Sequence, residues 1–178
     1  MTWAARAFAE DGIDPRAARI VAHATESGRT LATGESLTGG ALVSGLVDVP
    51  GASRCVVGGA VCYSLAAKTR LLGVDADVLA ATGAVTAEVA AAMARGALRA
   101  YDADLAVSTT GVAGPGPDER GIGQGTVFVA LADAAWGTVD VRELHLVGDR
   151  AEVRRQTVDA GLALFDEALA QVRDDGRS

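Results

Sequence analysis

The residues best suited to chemistry in this chain begin with Ser36, set in the stretch Leu31 to Gly40, LATGESLTGG. An apolar, strand-like run ends there in a small polar cluster and two glycines. A serine on a strand-to-helix turn presents its hydroxyl at a sheet edge, and the helix that follows aims unpaired N–H groups back at it. That placement suits a nucleophile or an anion site. Serine and threonine also cap helices routinely, so Ser36 and Thr38 as plain caps of a helix from Gly39 to Val47 is the simpler reading. On these residues alone it is the favoured one. GESLTGG lacks the Gly-Lys-Ser/Thr ending of a phosphate-binding loop. It is not a nucleophile elbow either, because Thr38 stands where that turn needs glycine. The two histidines, His23 on an early amphipathic helix and His145 within a strand, are surface or structural positions rather than a general base. An activated Ser36 needs another proton acceptor.

The basic residues supply one. Of 16 lysines and arginines, all but Lys68 are arginine. A composition this biased leaves lysine where arginine would fail, and deprotonation is such a purpose: a buried ammonium can lose its proton near neutral pH, whereas guanidinium does not. Lys68 follows Tyr63, one of two tyrosines, by five residues at a second strand-to-helix junction. The competing reading is a single leftover lysine on the surface, its usual home.

Several elements must position these groups. Asp14-Pro15 starts a helix that Gly28 ends, after a short helical arm at Thr2 to Glu10. Strand Thr30 to Thr33 leads into the Ser36 turn and its helix, and Pro50-Gly51 makes a turn. Cys55 to Tyr63 reads as a strand covered on both faces. Ser64 caps a helix carrying Lys68 and ending at Gly73. Asp75 to Thr82 forms a short helix, and Thr86 caps a longer one reaching Tyr101. Ala103 to Thr109 is a buried strand opening onto a glycine-rich loop, TGVAGPG, that runs to Gly125. A loop of this length is usually functional or disordered. Strands Gly125 to Ala132 and Thr138 to Val147 meet at Trp136-Gly137. Asp149 and Glu152 form a capping box for a last helix with Val158, Leu162, Phe165, Leu169 and Val172 on one face. Asp174 to Ser178 reads as a solvated tail.

Composition bounds the class. The chain has 178 residues, 49% of them apolar, with 22 glycines, 4% aromatics and a formal charge of −7. One α/β domain with a single sizeable core is the simplest organisation. The acidic balance argues against a nucleic-acid surface and for a small-molecule ligand. Cys55 and Cys62, seven apart in one expected strand, point to opposite faces and cannot pair locally. There is no Cys/His metal spacing. No apolar run approaches the roughly 20 residues that span a bilayer, so no membrane association is expected and the chain reads as cytoplasmic.

In order and spacing, ATGESLTGG, VPGASRCVVGGAVCYSLAAKTRLLGV, GAVT, STTGVAGPGP and GTVFVALA resemble the CinA C-terminal-domain family, the nicotinamide-nucleotide amidohydrolases (PncC). The match covers nearly the whole chain from the second helix onward and is closest to the stand-alone form. The resemblance implies a three-layer α/β domain, with a central mixed sheet and helices on both faces. It implies an enzyme that hydrolyses nicotinamide mononucleotide to nicotinate mononucleotide and ammonia. Its ligand would be a pyridine nucleotide, with no cofactor and no metal, and the protein would be a homodimer. Carried over residue by residue, Ser36 is the nucleophile, Tyr63 and Lys68 its activating pair, Thr110 their neighbour and Arg150 a substrate contact.

Thr38, Gly39 and Gly40 at the Ser36 turn, and Gly111 and Gly114 in the loop, are further expected substrate contacts. Backbone N–H groups in either turn can hold an oxyanion. The chain departs from the family pattern at Leu65 and Ala66, and at Ile122-Gly123-Gln124, which bears on substrate preference more than on chemistry. Leu37 stands where cysteine is frequent. The expected reaction is amide hydrolysis through an acyl-enzyme, with neutral Lys68 accepting the Ser36 proton directly or through Tyr63. A non-catalytic nucleotide-binding or regulatory module, and a Ser/Lys amidase acting on another amide, are the competing readings.

Overall fold

Side chains alternate between the two faces of a β-strand, and here the alternation assigns a different helical layer to each face. The computed structural model describes residues 13 to 175, with side chains described as far as 171. In chain order these are α1 (Pro15–Ser27), β1 (Leu31–Glu35), α2 (Ala41–Val47), a 3-10 turn (Ala52–Arg54), β2 (Val56–Val61), α3 (Leu65–Leu72), α4 (Ala76–Thr82), α5 (Ala87–Tyr101), β3 (Leu105–Gly111), β4 (Thr126–Asp133), β5 (Thr138–His145) and α6 (Arg150–Asp175). The sheet order is β2-β1-β3-β4-β5. β1 is parallel to β2 and β3, while β4 and β5 run antiparallel to their neighbours.

Leu31, Leu105, Val107, Val127, Val129 and Leu131 point to one face and pack against α1, α2 and α6. Ala32 and Ala106 point to the other and meet Leu72, Leu79, Val89 and Met93 of α3, α4 and α5. Phe128, Ala130 and Ala132 continue that second layer towards Ala90 and Ala94. The domain is thus the expected three-layer α/β arrangement about a mixed sheet. Small residues on the α5 side of the sheet allow the alanine-rich helix to lie close to it.

The caps follow the expected chemistry. Asp14 accepts from Arg16 N–H and Ala17 N–H, Ser64 from Ala67 N–H and Thr86 from Val89 N–H. Asp149 and Glu152 complete a reciprocal capping box.

Some expectations need correction. The run Cys55 to Tyr63 is not a strand covered on both faces: β2 is an edge strand, with Val57 and Val61 exposed. An apolar composition alone does not separate an edge from a centre. Both cysteines are free and buried, yet neither lies within β2. Cys55 belongs to the α1 layer and Cys62 to the α5 layer. Asp174 and Asp175 continue α6 rather than starting a tail, and residues 176 to 178 lie outside the described residues. So does the arm at Thr2 to Glu10.

Helices α3 and α5 approach closely at Gly96, and this contact positions the helix that carries Lys68. A Cβ at Gly96 would strike the Leu72 carbonyl oxygen and lie 2.7 Å from the Leu72 Cβ. Glycine to alanine inside a helix ordinarily stabilises by up to about 1 kcal/mol. Overlap with a neighbouring backbone costs roughly 1–3 kcal/mol and wins here. Gly96→Ala is therefore expected to lower the thermal transition by several degrees; an unchanged or raised transition would contradict this packing.

Candidate active site

Ser36 lies just past the carboxyl end of β1. The connections leaving β1 and entering β3 run over opposite faces of the sheet, and that edge is where open α/β sheets form clefts. Its N–H donates to the Thr109 carbonyl at 2.9 Å, and its own carbonyl accepts from Gly39 N–H at 3.1 Å. Gly39 and Gly40 have φ of 65° and 93°, a left-handed conformation that fits glycine. The helix therefore starts at Ala41, two residues later than the sequence pattern indicates.

The capping role falls to a different residue. Gly40 at the N-cap makes no side-chain capping bond. Instead Glu35, fully buried, reaches over the turn. Its Oε2 accepts from Thr38 Oγ1 at 2.7 Å, Gly40 N–H at 2.9 Å and Leu42 N–H at 3.1 Å. Its Oε1 accepts from Val43 N–H at 2.8 Å and Thr33 Oγ1 at 3.1 Å. A buried carboxylate is tolerable only with its lone pairs satisfied, and a helix start favours its charge. With Glu35 as the cap, the Ser36 hydroxyl is free of that duty.

Lys68, in the first turns of α3, meets it there. The side chain is 1% exposed, and Nζ lies 2.9 Å from Ser36 Oγ while donating to the Cys62 carbonyl at 2.7 Å. Burial is the main cause of a pKa lowered to about 8, against a smaller opposing effect from Cys62. The amine is thus poised to shed its proton near neutral pH and accept one from the hydroxyl.

Ser36 and Lys68 open onto a cleft of about 550 Å³, also lined by Leu37, Tyr63, Leu65, Thr110, Gly111, Gly114 and Arg150. Thr110 is buried, and its Oγ1 donates to the Ala84 carbonyl at 2.6 Å. Tyr63 is 64% exposed and its hydroxyl accepts from Arg150 Nη2 at 3.0 Å. It stands at the mouth rather than between Lys68 and Ser36, which are in direct contact. Arg150 Nη1 donates to the Gly114 carbonyl at 2.7 Å, joining α6, the loop and Tyr63 at one guanidinium.

Thr38, Gly39 and Gly40 lie behind the turn, off the cleft wall: Thr38 is fully buried, and the N–H groups of Gly39 and Gly40 are engaged with Ser36 and Glu35. They shape the site from within rather than touch its contents.

The glycine-rich loop is not a loose linker. Asp118 Oδ1 accepts from Arg120 N–H and Ile122 N–H. Arg120 donates to the Ala80 and Ala81 carbonyls ending α4. Gln124 links Gly116 N–H to the Gly148 carbonyl.

Comparison with known proteins agrees with this architecture. Residues 13–169 match the family model described as the CinA C-terminal domain. The chain belongs to that family. Among curated relatives, a CinA-like protein of Mycolicibacterium gilvum is 47% identical over 167 residues, covering 92% of this chain and 38% of its own length. One from Mycobacterium tuberculosis is 38% identical over 169 residues, covering 93% and 37%. This CinA C-terminal domain chain therefore spans well under half the length of those relatives. Among solved structures, a CinA superfamily protein from Klebsiella pneumoniae superposes with a TM-score of 0.83 at 31% identity, covering 88% of this chain and 96% of the other. The competence/damage inducible protein CihA of Agrobacterium tumefaciens gives 0.82 at 36%, covering 87% and 93%.

Reading the sequence missed two residues of the site. Glu35 had a signal, since a carboxylate beside a helix start tends to find its N–H groups. Arg154 had another: it stands four residues after Arg150 on the same helix face, where like charges repel unless each has acceptors. Its Nε donates to the Leu37 carbonyl at 2.9 Å and its Nη2 to the Thr38 carbonyl at 2.8 Å.

The lowered Lys68 pKa has a consequence for stability. Below about pH 8 the folded protein carries a buried ammonium that the unfolded chain solvates freely, and the penalty fades as pH rises from about 8 towards 10.5. It amounts to about 3 kcal/mol at neutral pH. Lys68→Met is therefore expected to melt above the wild type at pH 7, with the gap narrowing by pH 10. A variant less stable at pH 7, or a gap independent of pH, would contradict this reading.

Proposed function

We propose that the protein is an amidohydrolase that converts nicotinamide mononucleotide to nicotinate mononucleotide and ammonia. The observation that carries this reading is the buried contact between Lys68 and Ser36, 2.9 Å between Nζ and Oγ, at the wall of a nucleotide-sized cleft. The resemblance of its motifs to the nicotinamide-nucleotide amidohydrolases suggests the amide. Neutral Lys68 takes the hydroxyl proton as Ser36 Oγ attacks the carboxamide carbon. The C–N bond then breaks, and the proton passes from Lys68 to the departing ammonia. Water attacks the resulting ester, again losing a proton to Lys68, and the acid and the serine are released. With a pKa of about 8, about one molecule in ten holds the neutral amine at pH 7, so turnover rises with pH towards and beyond 8.

Thr110 and the loop at Gly111 to Gly114 form the wall facing Ser36 and would hold the pyridine carboxamide between them. Arg150 engages two donors with Gly114 and Tyr63, leaving others for the phosphate at the cleft mouth. The test is ammonia release from nicotinamide mononucleotide by the purified protein. Binding without turnover would favour a non-catalytic module, and turnover of other amides alone would favour a different substrate.

Ser36→Ala is expected to abolish release while the thermal transition stays near that of the wild type. Turnover by the folded variant would remove the nucleophile. Arg150→Ala is expected to impair the mononucleotide far more than the riboside without phosphate. Equal losses on both would assign Arg150 to bracing the loop instead.

A further inference from the structure

Arg154 is a half-buried arginine on α6 that donates to two successive main-chain carbonyls, Leu37 at 2.9 Å through Nε and Thr38 at 2.8 Å through Nη2. Neighbouring Arg155 has a carboxylate partner in Asp159. A trans peptide points its C=O and its N–H in opposite directions, so holding a carbonyl aims the N–H on the far side of the same plane. The peptide carrying the Thr38 carbonyl also carries the Gly39 N–H, which donates to the Ser36 carbonyl at 3.1 Å. The peptide carrying the Ser36 carbonyl in turn carries the Leu37 N–H. Among the described residues that N–H has no protein acceptor, and Leu37 lines the cleft beside Ser36.

We propose that Arg154 is a positioning residue for the acylation step, acting through these two peptide planes to aim and polarise the Leu37 N–H as an oxyanion donor. Hydrogen bonds in series strengthen one another, and the guanidinium adds a fixed positive charge behind the turn. Glu35 grips the same turn from its other side by Thr38 Oγ1 and Gly40 N–H. Carbonyls are thus drawn one way and donors the other, and the turn cannot rotate without breaking both sets. Lysine cannot reproduce the effect, because the fork that spans two adjacent carbonyls belongs to the planar guanidinium. The inference rests on Ser36 being the nucleophile of the proposed reaction, but not on the identity of its substrate.

The test therefore uses two reactions. In the first, a fluorophosphonate modifies Ser36: the Ser36 Oγ–P bond forms, the P–F bond breaks, fluoride leaves, and the serine proton passes through Lys68 to solvent. Intact mass gives the rate. In the second, ammonia release from nicotinamide mononucleotide gives kcat and KM separately. Arg154→Ala is expected to slow both modification and kcat by about a hundredfold, with KM changed less than about threefold and the thermal transition nearly retained. Arg154→Lys, which keeps the charge, the stem and one donor, is expected to fall between, and it stands as the test if the alanine variant does not fold. Modification of either folded variant at the wild-type rate would overturn the proposal, as would a loss confined to KM. A wild type that is modified at Ser36 but releases no ammonia would remove the substrate and leave Arg154 open to the first measurement. Absence of any modification in the wild type would overturn the nucleophile and the relay together.

Discussion

The burial of one ammonium group organises this molecule. Lys68 is among the largest of the fully buried side chains in the described residues and carries a charge that water would hold far better than protein does. Among the described residues no carboxylate pairs with it; its hydrogen-bond partners are the Ser36 hydroxyl and the Cys62 carbonyl. A fold optimised for stability alone would place an apolar side chain there. The penalty is tolerable because it is local, and because an amine that leans towards its neutral form is what a serine without histidine requires. The close packing of α3 on α5 at Gly96 holds the amine in that position.

The other charges near Ser36 are arranged about its turn rather than about Lys68. Glu35 collects five donors, and Arg154 collects two carbonyls. Among the described residues no hydrogen bond or ion pair joins the two. Each satisfies main-chain groups that would be orphaned where a tight turn enters a short helix. At the cleft mouth Arg150 does the same for the Gly114 carbonyl and also donates to the Tyr63 hydroxyl. Rigid main chain on both walls, with one mobile proton between Lys68 and Ser36, is an arrangement preorganised for charge that develops on an attacked carbonyl.

Much of the fold was legible in the sequence because its signals are local. Asp14, Gly28, Ser64, Thr86 and the Asp149–Glu152 pair mark helix ends by bonds that span a few residues. The single lysine among arginines pointed to Lys68 before any contact was known. What stayed hidden depends on long-range placement. Whether the VVGGAV run lies at the centre or the edge of the sheet is decided by strand order, which its composition does not encode. The family resemblance pairs Tyr63 with Lys68, yet the Tyr63 hydroxyl turns to Arg150, 87 residues away. Arg154 reaches across 117 residues to Leu37. Glu35 is buried only because the next eight residues fold back over it, as far as Val43 N–H.

The proposed chemistry depends on the protonation of Lys68, which can be read without any substrate. Lysine labelled with 13C at Cε reports its charge through the chemical shift, and with a single lysine in the sequence there is one signal to follow. A titration midpoint near 8, displaced when Ser36 is replaced by alanine, is the expected result. A midpoint at or above the ordinary lysine value would mean that the ammonium is kept at every physiological pH, and the general-base account would be wrong.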